Sequence, residues 1–444
     1  MTAVLTRPAP PPTRPPAPLA AAPASAPPGR DLFLDVLRLF GTALVVLQHW
    51  SMPVLSVTGD RITTGNALAT GNAWMITWIS QVMPLVFFAG GAAGAISHRA
   101  ALRRGGGSPA WLAARLRRLA WPVLPLAAVW LPLPHLLLAL GLPSQPVVTA
   151  SRLAGQLLWF LAVYLVAVAA TPLMRRLGAA YGLRVPAALA AGAVVVDVLR
   201  FACGLEAAGW ANIGLVWLAV HQLGFLYAEG RLDLPRTRLW GMAAAGYGLA
   251  ALLVAFGPYP GSMIGLPGAA VSNMAPPTVA LLAVGIGQIG LALALRRQIA
   301  SFARWPVVAR ALGWAGPRMM TVYLWHMSAL FCVTAVVVVG LGVPTPEPGG
   351  SAWLSGWPHW LAALCLVLWP LLRGLSRFEE PPAAAPYRGG TARIAAALAL
   401  AGAGLLVLTV SGFAPGPWPV LGSGLLLGGL LLTRSAGFRR IRGN

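Results

Sequence analysis

The feature that most constrains this chain is a succession of apolar runs, each about 18 to 25 residues long and able to cross roughly 30 Å of hydrocarbon. They fall near 33-53, 73-97, 117-141, 154-174, 185-203, 210-229, 239-257, 273-296, 317-341, 357-375, 392-412 and 418-434. A bilayer offers no water to an open backbone, so runs of this length are read as helices that bond within themselves. The expectation is an all-α polytopic membrane protein, with a core of about ten helices and two extra transmembrane helices at its C-terminal end. Composition excludes a set of ordinary soluble domains, because 58% of residues are hydrophobic and only 9% are charged.

The formal net charge of +22 does not point to nucleic acid, since the basic residues fall in short connections between apolar runs. All 32 basic residues are Arg. If the N-terminus is cytoplasmic, 28 of them lie on the cytoplasmic side, opposite only Arg61, Arg152 and Arg200, with Arg38 inside the first run. This asymmetry predicts a multi-pass protein of the plasma membrane with both termini in the cytoplasm. Residues 1-29 are rich in Pro and Ala and read as a disordered cytoplasmic tail. Residues 30-378 form the main transmembrane domain. Residues 379-444 supply a linker, two helices without ionisable side chains in their cores and a basic cytoplasmic C-terminus. Cys203, Cys332 and Cys365 show neither pairing nor metal spacing, so they read as buried structural thiols and no metal site is expected. Internal repeats, a phosphate-binding Gly-Lys-Ser loop, a Gly-x-Ser-x-Gly elbow and a His/Glu metal helix are absent from the sequence.

Chemistry enters through the few polar residues at membrane depth. The first run carries Asp35 and Arg38 near one end and His49 near the other. Such groups cost from about 2.5 kcal/mol upward in hydrocarbon and persist where they face protein or a water-filled cavity. Eleven residues at roughly 100° each put Arg38 and His49 on one face, about 16 Å apart, with Asp35 close to the same line. Arg115 and Arg118 are three apart before Pro122 and Pro125, which kink or open the third helix. A rigid guanidinium pair there suits a phosphate-bearing ligand. Tyr323 and His326 are helix neighbours and read as a bonded pair, while His221, one turn from Trp217, reads as a packing residue. Asp197 and Arg200 are expected to pair with each other, and His135 and His359 are assigned to no site. The run from Ala89 to Gly94 reads as a close helix contact. The segment from Gly257 to Pro277 lines a cavity or merely connects helices.

These residues resemble the acyltransferase-3 family of integral-membrane O-acyltransferases. Leu34-Asp35-Val36-Leu37-Arg38, followed after ten residues by His49, is similar to its opening signature. Met83 to Phe88 followed by glycines resembles its Phe-Phe-x-x-Ser-Gly segment, without the Ser. Arg115-Leu116-Arg117-Arg118 resembles its Arg-x-x-Arg motif, with Pro122 one position late. Leu158-Trp159-Phe160-Leu161 and Tyr323-Leu324-Trp325-His326 match weaker features over a resemblance that covers about Arg30 to Arg377.

The resemblance implies O-acetylation or a related transfer from cytoplasmic acyl-CoA, acetyl-CoA foremost, to a hydroxyl-bearing carbohydrate, glycolipid or small metabolite. Acyl-CoA would be a co-substrate, with no permanently bound cofactor. Arg115 and Arg118 would hold the donor, His49 would take part in transfer, and Trp159, His221, Tyr323 and His326 would line the site. Chemistry fits, because attack on a thioester needs a base active near neutral pH, a task suited to neutral His. Arg38 is a candidate for stabilising the oxyanion, with Asp35 beside it. Whether His49 acts as base or acyl carrier stays open. The rival reading is a transporter or exporter, which would also need a polar stripe and a Gly/Pro-broken loop.

Overall fold

The computed structural model describes residues 31–383 and 385–434. Among these, nine helical stretches are long and apolar enough to cross a membrane, and a tenth crossing is a pair of helices bent by 65°. The protein is an all-α, multi-pass membrane protein. Residues 1-29, expected to be a disordered tail, and the basic C-terminus beyond Arg434 lie outside the described residues.

In chain order the helices are α1 (Leu32–Ser51), α2 (Thr77–Ser80), α3 (Met83–Arg103), α4 (Ser108–Ala120), α5 (Val123–Trp130) and α6 (Leu133–Ala139). They continue with α7 (Ser144–Gln156), α8 (Leu158–Tyr181), α9 (Arg184–Phe201), α10 (Asn212–Ala228), α11 (Arg236–Phe256) and α12 (Val279–Ala294). The last are α13 (Arg296–Phe302), α14 (Pro306–Ala315), α15 (Met319–Thr334), α16 (Ser351–Leu375), α17 (Thr391–Ser411) and α18 (Pro417–Leu432). All twelve apolar runs are thus helical. Two lie outside the ten crossings just counted: α9, which carries Arg184, Asp197 and Arg200, and α18, which has 16 residues. The expected break in the third run is present, because α4 ends at Ala120, Pro122 precedes α5 and Pro132 precedes α6. A proline there removes a donor and clashes with the preceding turn.

Helix ends are held by side chains that satisfy otherwise orphaned N–H groups. Asp31 caps α1 by accepting from Phe33 N at 3.1 Å and Leu34 N at 3.4 Å, and Tyr227 of α10 donates to the same carboxylate at 2.7 Å. Glu379 caps α15 by accepting from Met320 N at 2.8 Å, Thr321 N at 2.9 Å and the Thr321 hydroxyl. Burial pushes the Glu379 carboxyl above the usual carboxylate range, against the hydrogen bonds from Thr321 and Met320 and the nearby Arg118 charge.

Asp197 and Arg200 do not make the pair expected of them. Asp197 is turned into the bundle, where Asn212 at 2.8 Å, Tyr259 at 3.0 Å and Val279 N at 2.8 Å all donate to it. Arg200 instead donates to Glu206 at 3.1 Å. Three converging donors satisfy the buried carboxylate better than one neighbouring cation on the same helix.

Helices α3 and α10 touch backbone to backbone. A Cβ on Gly91 would overlap the carbonyl of His221, and one on Gly224 would overlap the carbonyl of Phe88. The Gly-rich run is therefore a close helix contact. Two apolar clusters result. One joins the N-terminal half of α1 with α3 and α9 to α12, and the other joins the C-terminal half of α1 with α4, α5, α8 and α15 to α18. Phe33, Leu34 and Leu37 belong to the first, Val46 and Trp50 to the second, so α1 spans the seam between them.

One face of the bundle carries a feature absent from the expectation, an antiparallel hairpin of β1 (Pro53–Thr58) and β2 (Arg61–Asn66). The Gln145 side chain accepts from Ile62 N at 2.9 Å and donates to Ile62 O at 3.1 Å, and Thr345 accepts from Leu55 N at 2.7 Å. Its sequence signal was the Gly59-Asp60 dipeptide between two β-branched stretches, with Gly59 at φ +58°. The opposite face holds most of the Arg residues.

Candidate active site

The last turn of α1 carries His49, and α15 brings His326 against it. The Nδ1 of His49 is 2.9 Å from Nε2 of His326, and the ring planes are within 5° of parallel. The other nitrogen of His326, Nδ1, is 2.7 Å from the backbone carbonyl of Tyr323. A carbonyl only accepts, so this nitrogen carries the proton and Nε2 of neutral His326 is an acceptor. His49 therefore donates from Nδ1, and its Nε2 is left with a lone pair. This dictates the tautomer through neighbours rather than through a visible hydrogen.

The pair is held from three sides. Trp50 donates to His326 O at 2.9 Å, Trp360 of α16 donates to Trp50 O at 2.9 Å, and Tyr323 donates to Leu157 O at 2.5 Å. The side chains of Tyr323 and His326 do not bond each other as expected, because each finds a backbone carbonyl instead.

His49, Trp159 and Tyr323 line a cavity of about 1100 Å³ on the hairpin side of the bundle. Its roof includes Leu55, Ile62 and Thr64 of the hairpin and Ile264 to Pro267 of the segment from Gly257 to Pro277. Of the two readings of that segment, lining a cavity is the one realised. Asn273 donates to Pro260 O at 2.7 Å and Ser262 O at 2.8 Å, and Trp78 donates to Gly261 O at 2.7 Å. Leu406, Thr409 and Val410 of α17 complete the wall, so α17 is part of the cavity, and Leu426 and Leu430 place α18 with it in the core. Cys332 also lines the cavity, and Cys203, Cys332 and Cys365 are free and exposed rather than buried. A thiol is apolar enough to stand on the outside of a bundle that meets lipid.

The arginine-rich face holds a second cluster. Arg115 donates to the hydroxyl of Ser97, which also accepts from Trp111 at 3.2 Å, and its guanidinium lies 5.5 Å from the Trp111 ring centroid. Arg38, Arg118 and Tyr164 all lie within electrostatic reach of Arg115. Arg38 is exposed and stands three turns from His49, so it joins the arginine cluster and not the histidine pair. The oxyanion role considered for Arg38 at His49 does not fit this separation. Asp35 is half-buried in the first turn of α1, farther still from His49. His221 is buried against Phe225 and Tyr164 with ring centroids at 4.8 and 6.3 Å, away from the cavity lining.

Aromatic rings connect the two regions. Tyr164 packs on Phe160 at 5.5 Å, Phe160 on Tyr323 at 5.5 Å, and Tyr323 lies 6.2 Å from the His326 ring. The sequence reads His326 as a site-lining residue, whereas the fold buries it behind His49 and outside the cavity lining. A polar residue without a sequence expectation is His98, which accepts from Arg175 at 3.1 Å through Nδ1 and donates to Ser108 at 2.9 Å. The Arg175-Arg176 doublet shortly after Pro172 was its available signal.

A comparison with protein families finds that the acyltransferase-3 model, described as an acyltransferase domain, matches residues 31–371. Neither the curated proteins nor the solved structures contain a match. The match covers the arginine cluster, the aromatic column, both histidines and most of the cavity wall. The chain belongs to the acyltransferase-3 family and is a membrane acyltransferase.

Proposed function

We propose that this protein transfers an acyl group from cytoplasmic acyl-CoA, acetyl-CoA foremost, to a hydroxyl of an acceptor held in the hairpin-side cavity. The observation that carries the reading is His49 at the cavity wall with buried His326 behind it, each ring's proton set by its neighbours. In this reading the acceptor hydroxyl attacks the thioester carbonyl as Nε2 of His49 takes its proton. The imidazolium so formed is steadied by the bond from Nδ1–H to His326. Collapse of the tetrahedral intermediate breaks the carbon–sulfur bond, and His49 returns the proton to the departing thiolate. Each turnover leaves one ester, one free thiol and neutral His49.

The Arg asymmetry supports a plasma-membrane protein with the arginine-rich face and both termini in the cytoplasm. Arg115, Arg118 and Arg38 then meet the phosphates of the donor, for which guanidinium forks are suited. The pantetheine arm would follow the Tyr164, Phe160 and Tyr323 column over about 16 Å, the rise of eleven helical residues. The test is thiol release from acetyl-CoA by the purified protein in nanodiscs. Release that depends on an acceptor and disappears in His49→Ala supports the reading, and equal release in that variant overturns it.

A further inference from the structure

We infer that the acceptor is a hydroxyl carried on a bulky apolar skeleton, and not a hydrophilic glycan. This inference rests on the reading of the cavity as the acceptor site. The cavity, at about 1100 Å³, is large beside the roughly 300 to 1,000 Å³ of ordinary small-molecule pockets. No Asp, Glu, Lys or Arg lines it, while Trp130, Trp159, Phe160, Trp217, Trp325 and Phe331 do.

Several polar groups in the wall are already engaged. The Tyr323 hydroxyl donates to Leu157 O, and Ser328 accepts from Trp130 at 3.1 Å. Gln81 donates to Met263 O at 3.3 Å and to Met274 Sδ at 3.0 Å, and accepts from Met83 N at 3.3 Å. Asn66 donates to Met52 Sδ at 3.5 Å and accepts from Leu68 N at 2.9 Å. A glycan carries hydroxyls around every ring, and each one buried without a partner forfeits the hydrogen bonds it makes to water. One reacting hydroxyl, by contrast, needs only Nε2 of His49. An apolar skeleton also gains from leaving water for this wall.

The wall also opens sideways. Leu406 and Val410 line the cavity yet are 58% and 80% exposed on the flank of α17, and Leu142 lines it while 41% exposed. An acceptor dissolved in the hairpin-side leaflet thus reaches His49 without crossing water. Two sources share this chemistry, a membrane lipid with a free hydroxyl and an apolar metabolite partitioned into the bilayer.

The experiment supplies the full-length protein in nanodiscs with radiolabelled acetyl-CoA. Acceptors are the chloroform-soluble and the aqueous extract of cells of the source strain deleted for this gene. Label in a chloroform-soluble product is the expected result, and its migration with or apart from bulk lipids separates the two sources. Label confined to aqueous glycans overturns the inference and leaves the acyltransferase reading standing. Thiol release without labelled product in either extract also overturns it. No release with either extract overturns both. Ala150→Trp, which fills the cavity from α7, is expected to lower transfer to the chloroform-soluble acceptor about tenfold, through acceptor KM. An unchanged acceptor KM in a variant that elutes as the wild type does counts against the cavity as the acceptor site.

Discussion

His49 and His326 lie 277 residues apart in sequence, and their facing nitrogens are 2.9 Å apart. The proton on Nδ1 of His326 is committed to the Tyr323 carbonyl, so the proton between the rings belongs to His49. One ring thereby prepares the other, leaving a single lone pair on His49 for an incoming proton.

His49→Ala is expected to lower turnover by about 10²–10⁴-fold, the range of a lost general base. His326→Ala keeps His49 but removes the acceptor that sets its tautomer, and a loss of at least about tenfold in kcat is expected, with donor KM little changed. Steady-state thiol release measures both. Wild-type turnover in His326→Ala would show that the pairing has no role in transfer.

On the arginine-rich face the expected signature is different. Arg115→Ala should raise the apparent KM for acyl-CoA about tenfold or more while acceptor KM stays near the wild-type value. Arg115→Lys should recover little, because an ammonium cannot reproduce the planar fork held between Ser97 and Trp111. An acceptor KM that rises as much as the donor KM would refute the division of the two sites.

Glu379 links stability to pH. Burial raises its carboxyl above the ordinary range, so the folded protein binds this proton more tightly than the unfolded chain. Its contribution is fully present below the ordinary carboxylate range and is lost as pH rises through the folded value. Glu379→Gln should therefore melt level with wild type at low pH and gain on it as pH increases. Glu379→Ala removes the cap on α15 and should cost about 1 kcal/mol at low pH, with the cost shrinking as pH rises through the folded value. Thermal melts in detergent at several pH values test both variants.

Helix contact gives a paired test of packing. Gly91→Ala drives a Cβ into the His221 carbonyl and should destabilise by about 1–3 kcal/mol. Gly241→Ala on α11, where a Cβ meets nothing within 4 Å, should be neutral or slightly stabilising. Equal melting temperatures for the two variants would refute the close α3–α10 contact.

Apolar run length determined the architecture by itself, because a bilayer permits a long apolar segment little choice but a helix. The break at Pro122 and the close packing around Gly91 were equally local and equally readable. The Gly59-Asp60 hairpin carries a local turn signal too, but one that lies outside the apolar runs. Tertiary structure alone decided the rest. Spacing on α1 placed Arg38 and His49 on one face, yet only the packing of α4 and α15 assigned Arg38 to Arg115 and His49 to His326. Asp197 likewise met Asn212, Tyr259 and Val279 and not its helical neighbour Arg200. Helical periodicity reports which residues share a face, whereas the partner across that face is set by which distant helix packs against it.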